Sequence, residues 1–499
     1  MISMKCQNND PSPIKFTDAV LWVGLAQLII YIISFFTFPV ISKTFGPALY
    51  GLWAQIIVTV GLLTPIITFH LGTAMVRYLS NEKSLNKLSQ SFSNMFYLIL
   101  LVSIILIALS FVFRYEIAQF IFANQEFSSY IILTFIWASS SAFLLYLISF
   151  LRAQGRIKEL SLINIFCYFA KFIPLVCLAY LGFSLSFIII SQIFIEIIFV
   201  FYLTINIIKR IGYKTPNCSN LKKYLKFSIP QIPTGALLWI LDASDRYFIT
   251  NILNLTQTGI YSASYTLGTT ISAFYIPISF VVFPVISKFW ENGNIKDVKR
   301  YLEYSTKLFL TLAIPSVVGL YIISKPLLIL LSSADFVSGG GLLTLLIAVG
   351  TIFLGLYQIN LYVICLVEKT HTMPLIVFLG AIINIILNIV LIPQMGIMGA
   401  AIATICAYAL LALIVLVWAK KEIGYSINGV FLLKIILSTV VMYLLLQIFQ
   451  VNTILDIVFI IILGLFVYSV CVVLFRAFSE EEEKFILSFL KSFKSKISI

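Results

Sequence analysis

The sequence predicts an all-α, polytopic membrane protein of about fourteen transmembrane helices. Three observations lead there. Of 499 residues, 61% are hydrophobic and only 11% charged, whereas a soluble domain carries about a quarter charged residues. The mean hydropathy is +1.06, more apolar surface than a soluble core of this length can hide. The apolar runs are also continuous, without the alternation of polar and apolar residues that a membrane β-barrel requires.

A helix needs about 20 apolar residues to cross a bilayer. Runs of that length fall at 17–41, 49–76, 92–113, 128–151, 159–181, 184–208 and 228–253. They continue at 258–287, 303–324, 338–366, 374–393, 397–419, 429–449 and 455–475. The polar start from Met1 to Lys15, with Asp10, Pro11 and Pro13, lacks the apolar core of a cleavable signal peptide, so the first span is expected to act as its own insertion signal. Connections are short, and Pro65, Pro277, Pro284 and Pro315 are expected to bend the helices that hold them.

The basic residues check the number of spans, because Lys and Arg are retained on the cytoplasmic side. With the N-terminus inside, 28 of the 33 fall in cytoplasmic segments. Only Lys43, Arg114 and Lys325 fall outside, and Lys171 and Arg246 fall within the membrane. One span more or fewer would scramble this alternation. The expected location is therefore the cytoplasmic (inner) membrane, multi-pass, with both termini cytoplasmic. The net charge of +13 is a topology signal, and no nucleic-acid partner is expected.

The chain also resembles itself. Gly51-Leu52-Trp53-Ala54 after the first span is echoed by Gly259-Ile260-Tyr261-Ser262-Ala263 after the seventh, and Gly182 by Gly396. Both offsets are about 210 residues, which implies two six-helix lobes in parallel repeat about a pseudo-twofold axis along the membrane normal, with a substrate cavity between the halves. The expected organisation is an N-terminal lobe over 1–208, a cytoplasmic connection over 209–227 and a C-terminal lobe over 228–420. Helices 13 and 14 follow over 421–476. The tail over 477–499 places Phe485, Phe489 and Phe493 on one face, flanked by lysines, as in an amphipathic helix on the inner leaflet.

Three stretches resemble the Wzx-type polysaccharide flippases of the multidrug/oligosaccharidyl-lipid/polysaccharide exporter superfamily. They are Phe45-Gly46-Pro47-Ala48-Leu49-Tyr50-Gly51-Leu52-Trp53, then Ile229-Pro230 through Asp245-Arg246-Tyr247-Phe248-Ile249 to Gly259-Ile260-Tyr261-Ser262, and Asn384 to Tyr408 with Leu391-Ile392-Pro393 and Gly396-Ile397-Met398-Gly399. The resemblance implies translocation of undecaprenyl-pyrophosphate-linked oligosaccharide repeat units by alternating access. It implies O-antigen or another lipopolysaccharide component as the product, with membrane lipids and the polysaccharide polymerase machinery as partners. The related lipid II flippases carry arginines in their first two helices. Here those helices offer only Lys15 and, at the inner end of the second, Arg77, which counts against lipid II as cargo.

A charge inside a bilayer costs a few kcal/mol or more, so it faces protein or a water-filled cavity. Five lie well inside: Lys171, Glu196, Asp242, Asp245 and Arg246. Lys171, Arg246 and Arg77 are candidates for the cargo's phosphates, since Arg suits bidentate contact and Lys supplies a point charge. The structural alternative pairs Lys171 with Glu196 and Asp242 with Arg246. Asp242, Asp245 and Glu196 are candidates for coupling to H⁺ or Na⁺, with Asp245 also placed to neutralise Arg246. Asn384 and Asn388 are candidates for sugar contact or for hydrogen bonds between helices.

The seven cysteines are scattered without CxxC spacing, so no metal and no cofactor is expected. A multidrug or organic-cation exporter of the same fold is the alternative function. A membrane glycan polymerase or glycosyltransferase fits less well, because the outside loops are short and no GxSxG, HExxH or phosphate-cradling glycine loop is present. The topology makes a direct prediction. Single cysteines at Asn254 to Thr258 should react with an impermeant thiol reagent in intact cells, and one at Lys222 should not. Labelling at Lys222 would contradict the fourteen-span arrangement.

Overall fold

The computed structural model describes residues 13–217, 220–451 and 453–478; most of the 477–499 tail therefore lies outside the described residues. Among them the structure is helical throughout, with no strand. The chain separates into two compact units. The first comprises Met1–Phe45 and Trp53–Ala236, the second Gly46–Leu52 and Leu237–Ile499.

α1 (Pro13–Ile67), which belongs to the first unit apart from Gly46–Leu52, carries two spans in one element, broken where Gly46 adopts φ 70° and ψ −178°. The second of these spans ends at Ile67. Phe69 and His70 turn the backbone through positive φ, and α2 (Leu71–Leu79) then carries the chain to Arg77. The remaining elements of this unit are α3 (Leu85–Val112), the short α4 (Arg114–Phe122), α5 (Ser128–Ala153), α6 (Ile157–Tyr180), α7 (Leu185–Ile211) and α8 (Leu221–Ser228). α5 is the central helix and packs against α2, α3, α6 and α7. It carries small residues at Ala138, Ser139, Ser140 and Ala142, all buried, which let neighbouring helices approach closely.

The connection after α7 is fastened to α3. Ser89 Oγ donates to the Gly212 carbonyl (2.7 Å), Gln90 Nε2 to the Thr215 carbonyl (2.9 Å), and Asn217 N–H donates to Asn94 Oδ1 (2.9 Å). Gly212, Thr215 and Asn217 are thereby held to this unit, and α8 packs back on α2.

The second unit contains α9 (Ile232–Ile252, from Leu237 on), α10 (Leu255–Gly268), α11 (Ser272–Glu291), α12 (Ile295–Leu331), α13 (Gly340–Asn360) and α14 (Tyr362–Leu366). It is completed by α15 (Met373–Met395), α16 (Ile397–Ile423), α17 (Gly429–Leu446) and α18 (Ile454–Leu474). α13 and α16 form its centre; α15 packs on α16, α12 on α13, and α17 on both α12 and α18. Pro277 and Pro284 lie inside α11, and Pro315 and Pro326 inside α12. Each proline removes an i→i−4 hydrogen bond.

Among the described residues twelve helices are long and apolar enough to cross a membrane. One of the twelve covers Trp22–Ile67 and thus two spans. α9 is long enough to span but is less apolar, because it holds Asp242, Asp245 and Arg246. Counting α1 twice and adding α9 accounts for the expected fourteen.

The two repeat-related glycines meet within the second unit. A Cβ placed on Gly51 would stand 2.9 Å from Gly259 N and closer still to the Leu255 carbonyl oxygen. One placed on Gly259 would stand 3.0 Å from Gly51 N and closer still to the Pro47 carbonyl oxygen. Both obstacles are backbone, so neither side can yield by changing a rotamer. Beside this crossing the Tyr50 ring stands edge-on to Phe336 at 5.7 Å. The motif letters around Gly51 and Gly259 thus encode a backbone-to-backbone packing that only glycine permits.

Gly51→Ala or Gly259→Ala should therefore cost at least the ~1–3 kcal/mol of ordinary overpacking and lower the melting temperature of the purified protein in detergent. Gly319, inside α12 with open space around its α-carbon, is the control. Gly319→Ala should leave the melting temperature unchanged or raise it, and equal losses at all three glycines would contradict the crossing.

Candidate functional site

The intramembrane charges fall into two networks, one in each unit. In the first unit, α5 and α7 build a polar cluster around Glu196. Trp137, Ser140 and Ser141 share a face of α5 at i, i+3 and i+4. Trp137 Nε1 donates to Glu196 Oε1 (3.3 Å), while Ser140 Oγ (2.6 Å) and Ser141 Oγ (2.9 Å) donate to Oε2. Lys171 of α6 completes the set by donating through Nζ to Glu196 Oε1. One turn before Glu196 on α7, Gln192 donates to the Lys171 backbone carbonyl (3.0 Å).

Both Glu196 oxygens are thus satisfied, which is what a carboxylate away from water requires. The two partners differ in access: 3% of the Glu196 side chain is exposed, against 16% for Lys171. The Lys171 side chain is the more exposed member of the pair. Its ammonium also stands 5.7 Å from the centre of the Tyr168 ring.

In the second unit, Asp242, Asp245 and Arg246 occupy one face of α9, and Tyr261 and Tyr265 face them from α10. Arg246 forms its ion pair with Asp245, Nη1 to Oδ1 at 3.3 Å. Of the two pairings the sequence allowed for Arg246, with Asp242 or with Asp245, the second is the one found. Arg246 Nη1 also donates to the Asp242 backbone carbonyl, one helical turn earlier (3.0 Å). Asp245 also accepts from the Arg246 amide (2.8 Å) and from the Tyr261 hydroxyl. The Tyr265 ring lies 4.2 Å from the guanidinium carbon, and its hydroxyl donates to Asp242 Oδ1 (2.7 Å). Asp245 and Arg246 are buried, whereas Asp242 is exposed.

Asn384 and Asn388 continue this network inward. Ser244 Oγ donates to Asn384 Oδ1 (3.3 Å), Asn388 Nδ2 donates to the same oxygen (3.0 Å), and Asn384 Nδ2 donates to Thr404 Oγ1 (3.4 Å). Both amides are buried, and Asn388 Oδ1 has no hydrogen-bond partner. Their visible role is to join α9, α15 and α16. Arg77 belongs to neither network: it is exposed at the last turn of α2, with its guanidinium carbon 4.5 Å from the Phe227 ring centre of α8.

Sequence reasoning located the charges but not their neutral partners. Tyr261 and Tyr265 were legible only as an i, i+4 pair, and Ser140 and Ser141 as small residues in an apolar run. Hydroxyls carry no charge penalty, so nothing in their composition marks them.

These features define a polytopic helical membrane protein with charge networks inside its spans, the class to which transporters belong. The match to a family of polysaccharide biosynthesis proteins covers residues 16–290, more than half of the chain, so the protein belongs to that family, as the three motif stretches indicated. It is 28% identical over 138 residues to an uncharacterized membrane protein of Methanocaldococcus jannaschii (28% of this chain, 27% of the relative). It is 26% identical over 146 residues to the lipid II flippase MurJ of Bacillus subtilis (29% and 27%), and 25% identical over 174 residues to the probable flippase AglR of Haloferax volcanii (33% and 35%). The matched segments span about a quarter to a third of these relatives. Among solved structures, MurJ in an inward closed conformation superposes with a TM-score of 0.72 at 21% identity, covering 92% of this chain and 99% of that one. An inward-facing multidrug resistance transporter of the MOP superfamily gives 0.63 at 11% identity, covering 81% and 98%. The fold is the one these proteins share.

The Glu196 cluster makes a test on stability alone. Lys171→Gln strands a buried carboxylate and should cost about 3–5 kcal/mol, read as a lower melting temperature. Adding Glu196→Gln should recover most of the loss, since neutral amide and hydroxyl groups remain to bond one another. A neutral Lys171→Gln would show that the pair holds nothing together.

Proposed function

We propose that this protein is a flippase that carries oligosaccharide repeat units linked to undecaprenyl diphosphate across the cytoplasmic membrane by alternating access. The observation that carries the reading is the pair of cations held inside spans, Lys171 in one unit and Arg246 in the other, each poised against a carboxylate. Membership of a polysaccharide biosynthesis family and similarity to proteins described as flippases support it.

An anionic headgroup can compete for Lys171 because its side chain is the more exposed of the two partners. Glu196 keeps the hydrogen bonds from Trp137, Ser140 and Ser141 when Lys171 turns away, and the contact of Lys171 with the phosphate must offset the loss of its ion pair. Arg246 offers a planar fork for a phosphate, steadied by the Tyr265 face. Arg77, at the end assigned to the cytoplasm, is placed to meet the headgroup first. Asn384 and Asn388 hold the helices behind Arg246, with the free Asn388 oxygen as the group a sugar hydroxyl would reach if those helices part.

Coupling to H⁺ or Na⁺ falls to Asp242, the exposed carboxylate, through its hydrogen bond with Tyr265; Asp245 and Glu196 serve chiefly to balance the cations. An organic-cation exporter would be expected to present carboxylates without adjacent cations, and Asp242 is the single feature that favours it. On our reading the chain performs no covalent chemistry. It delivers repeat units for O-antigen or a comparable surface polysaccharide to polymerase machinery on the outer face.

Reconstitution with a fluorescent lipid-linked oligosaccharide tests this. Lys171→Arg should retain most translocation, Lys171→Gln should lose at least about tenfold, and Arg246→Lys should fall further than Lys171→Arg because it gives up bidentate geometry. Asp242→Asn should lower turnover at a fixed ion gradient. The double variant Lys171→Gln/Glu196→Gln should be folded but inactive. Full activity in that double variant would remove Lys171 from the cargo's path.

A further inference from the structure

The antiparallel pair α6 and α7 holds a second feature, at the end opposite the Lys171–Glu196 level of the membrane's interior and separate from it in sequence. A cavity of about 530 Å³ opens there, lined by Arg156, Lys158, Glu159, Leu162, Phe166 and Tyr202 among others. Its charges do not balance. Glu159 is bonded by Arg156 and by Arg210 (3.5 Å), so one carboxylate is shared by two guanidinium groups. Lys158 adds a third cation, its amine 4.9 Å from the Trp22 ring centre and without a carboxylate partner among the ion pairs of the described residues. The rim carries a net charge of about +2.

Below the rim the walls are apolar and uncovered. Lys158, Leu162 and Phe166 follow one another at i, i+4 and i+8 on α6, and Arg210, Asn206 and Tyr202 do so on α7. Each helix therefore presents a cation at its end and an aromatic ring about 12 Å deeper, at 1.5 Å per residue. Phe166 is 62% and Tyr202 57% exposed, so the described residues leave them uncovered. A ligand that fits must be anionic at one end and apolar over at least that depth. A soluble phosphate would leave the aromatic wall bare, and a nucleic acid would have no use for it.

We propose that this groove binds an anionic phospholipid of the inner leaflet, its phosphate on Arg156, Lys158 and Arg210 and an acyl chain along Phe166 and Tyr202. The cations lie on the side to which the Lys and Arg distribution assigns the cytoplasm, where basic groups at a span end meet anionic lipid headgroups. Glu159 competes with the phosphate for both arginines and so sets the affinity.

The test is native mass spectrometry of the full chain in mild detergent with equal amounts of phosphatidylglycerol and phosphatidylcholine of matched acyl chains. The wild type should retain one phosphatidylglycerol in clear preference. Arg156→Gln/Lys158→Gln should reduce that preference about tenfold, while Lys420→Gln/Lys421→Gln, an equal loss of charge at another helix end, should preserve it. Glu159→Gln should raise retention, a gain that misfolding cannot produce. The proposal is overturned if the wild type shows no preference, if the Lys420/Lys421 control loses it equally, if Glu159→Gln lowers it, or if a polyprenyl diphosphate occupies the groove and phosphatidylglycerol does not.

Discussion

A charge that enters the bilayer must be matched there, and this constraint orders the protein. The cost of an unmatched ion, a few kcal/mol or more, exceeds what any single apolar contact repays. Five charges lie deep in the spans, and the structure answers them with two kinds of network. Around Glu196 the partners are a lysine from α6 and an indole and two hydroxyls from α5. Around Arg246 they are a neighbouring carboxylate, a backbone carbonyl and two tyrosines. The first network ties α5 and α6 to α7, and the second ties α10 to α9 through Tyr261 and Tyr265, so each network fixes how those helices pack. Asp242 departs from the pattern: it is exposed, and its carboxylate bonds to Tyr265 rather than to a cation.

Much of the fold was legible because the bilayer permits few solutions. Apolar runs of about 20 residues had to be helices, and the alternation of Lys and Arg fixed how many there were. The structure then shows where such reading blurs. α1 runs through Gly46 without a polar loop to mark the division, so its two spans are visible mainly through the second apolar run. α9 is the converse case, a span-length helix whose three charges depress its apolar character. The glycines Gly51 and Gly259 were legible as a repeat, but not as partners. Matching letters report a shared local conformation, and nothing in them states that the two segments touch.

The candidate site was legible in its ions and illegible in its neutral groups. Lys171, Glu196, Asp245 and Arg246 stand out because charge is improbable in an apolar run. Gln192, Ser140, Tyr261 and Tyr265 are ordinary residues of membrane helices, and only the folded arrangement brings their polar atoms to the ions. The pairing of Arg246 with Asp245 rather than Asp242 has the same origin. Spacing of i, i+4 places two side chains on one face, but the guanidinium found the Asp242 carbonyl and the adjacent carboxylate instead. At the α6–α7 groove three cations stand with one carboxylate, Glu159, and their helix-end position spares them the burial that the deeper charges require.

The central claim is that this chain moves lipid-linked repeat units from the inner to the outer leaflet, and the sidedness of those units in cells measures it most directly. In cells depleted of the protein, repeat units should accumulate where a lectin reaches them only in inverted membrane vesicles, and restoring the protein should make them reachable in right-side-out vesicles. Repeat units that arrive on the outer face at an undiminished rate without the protein would contradict the account.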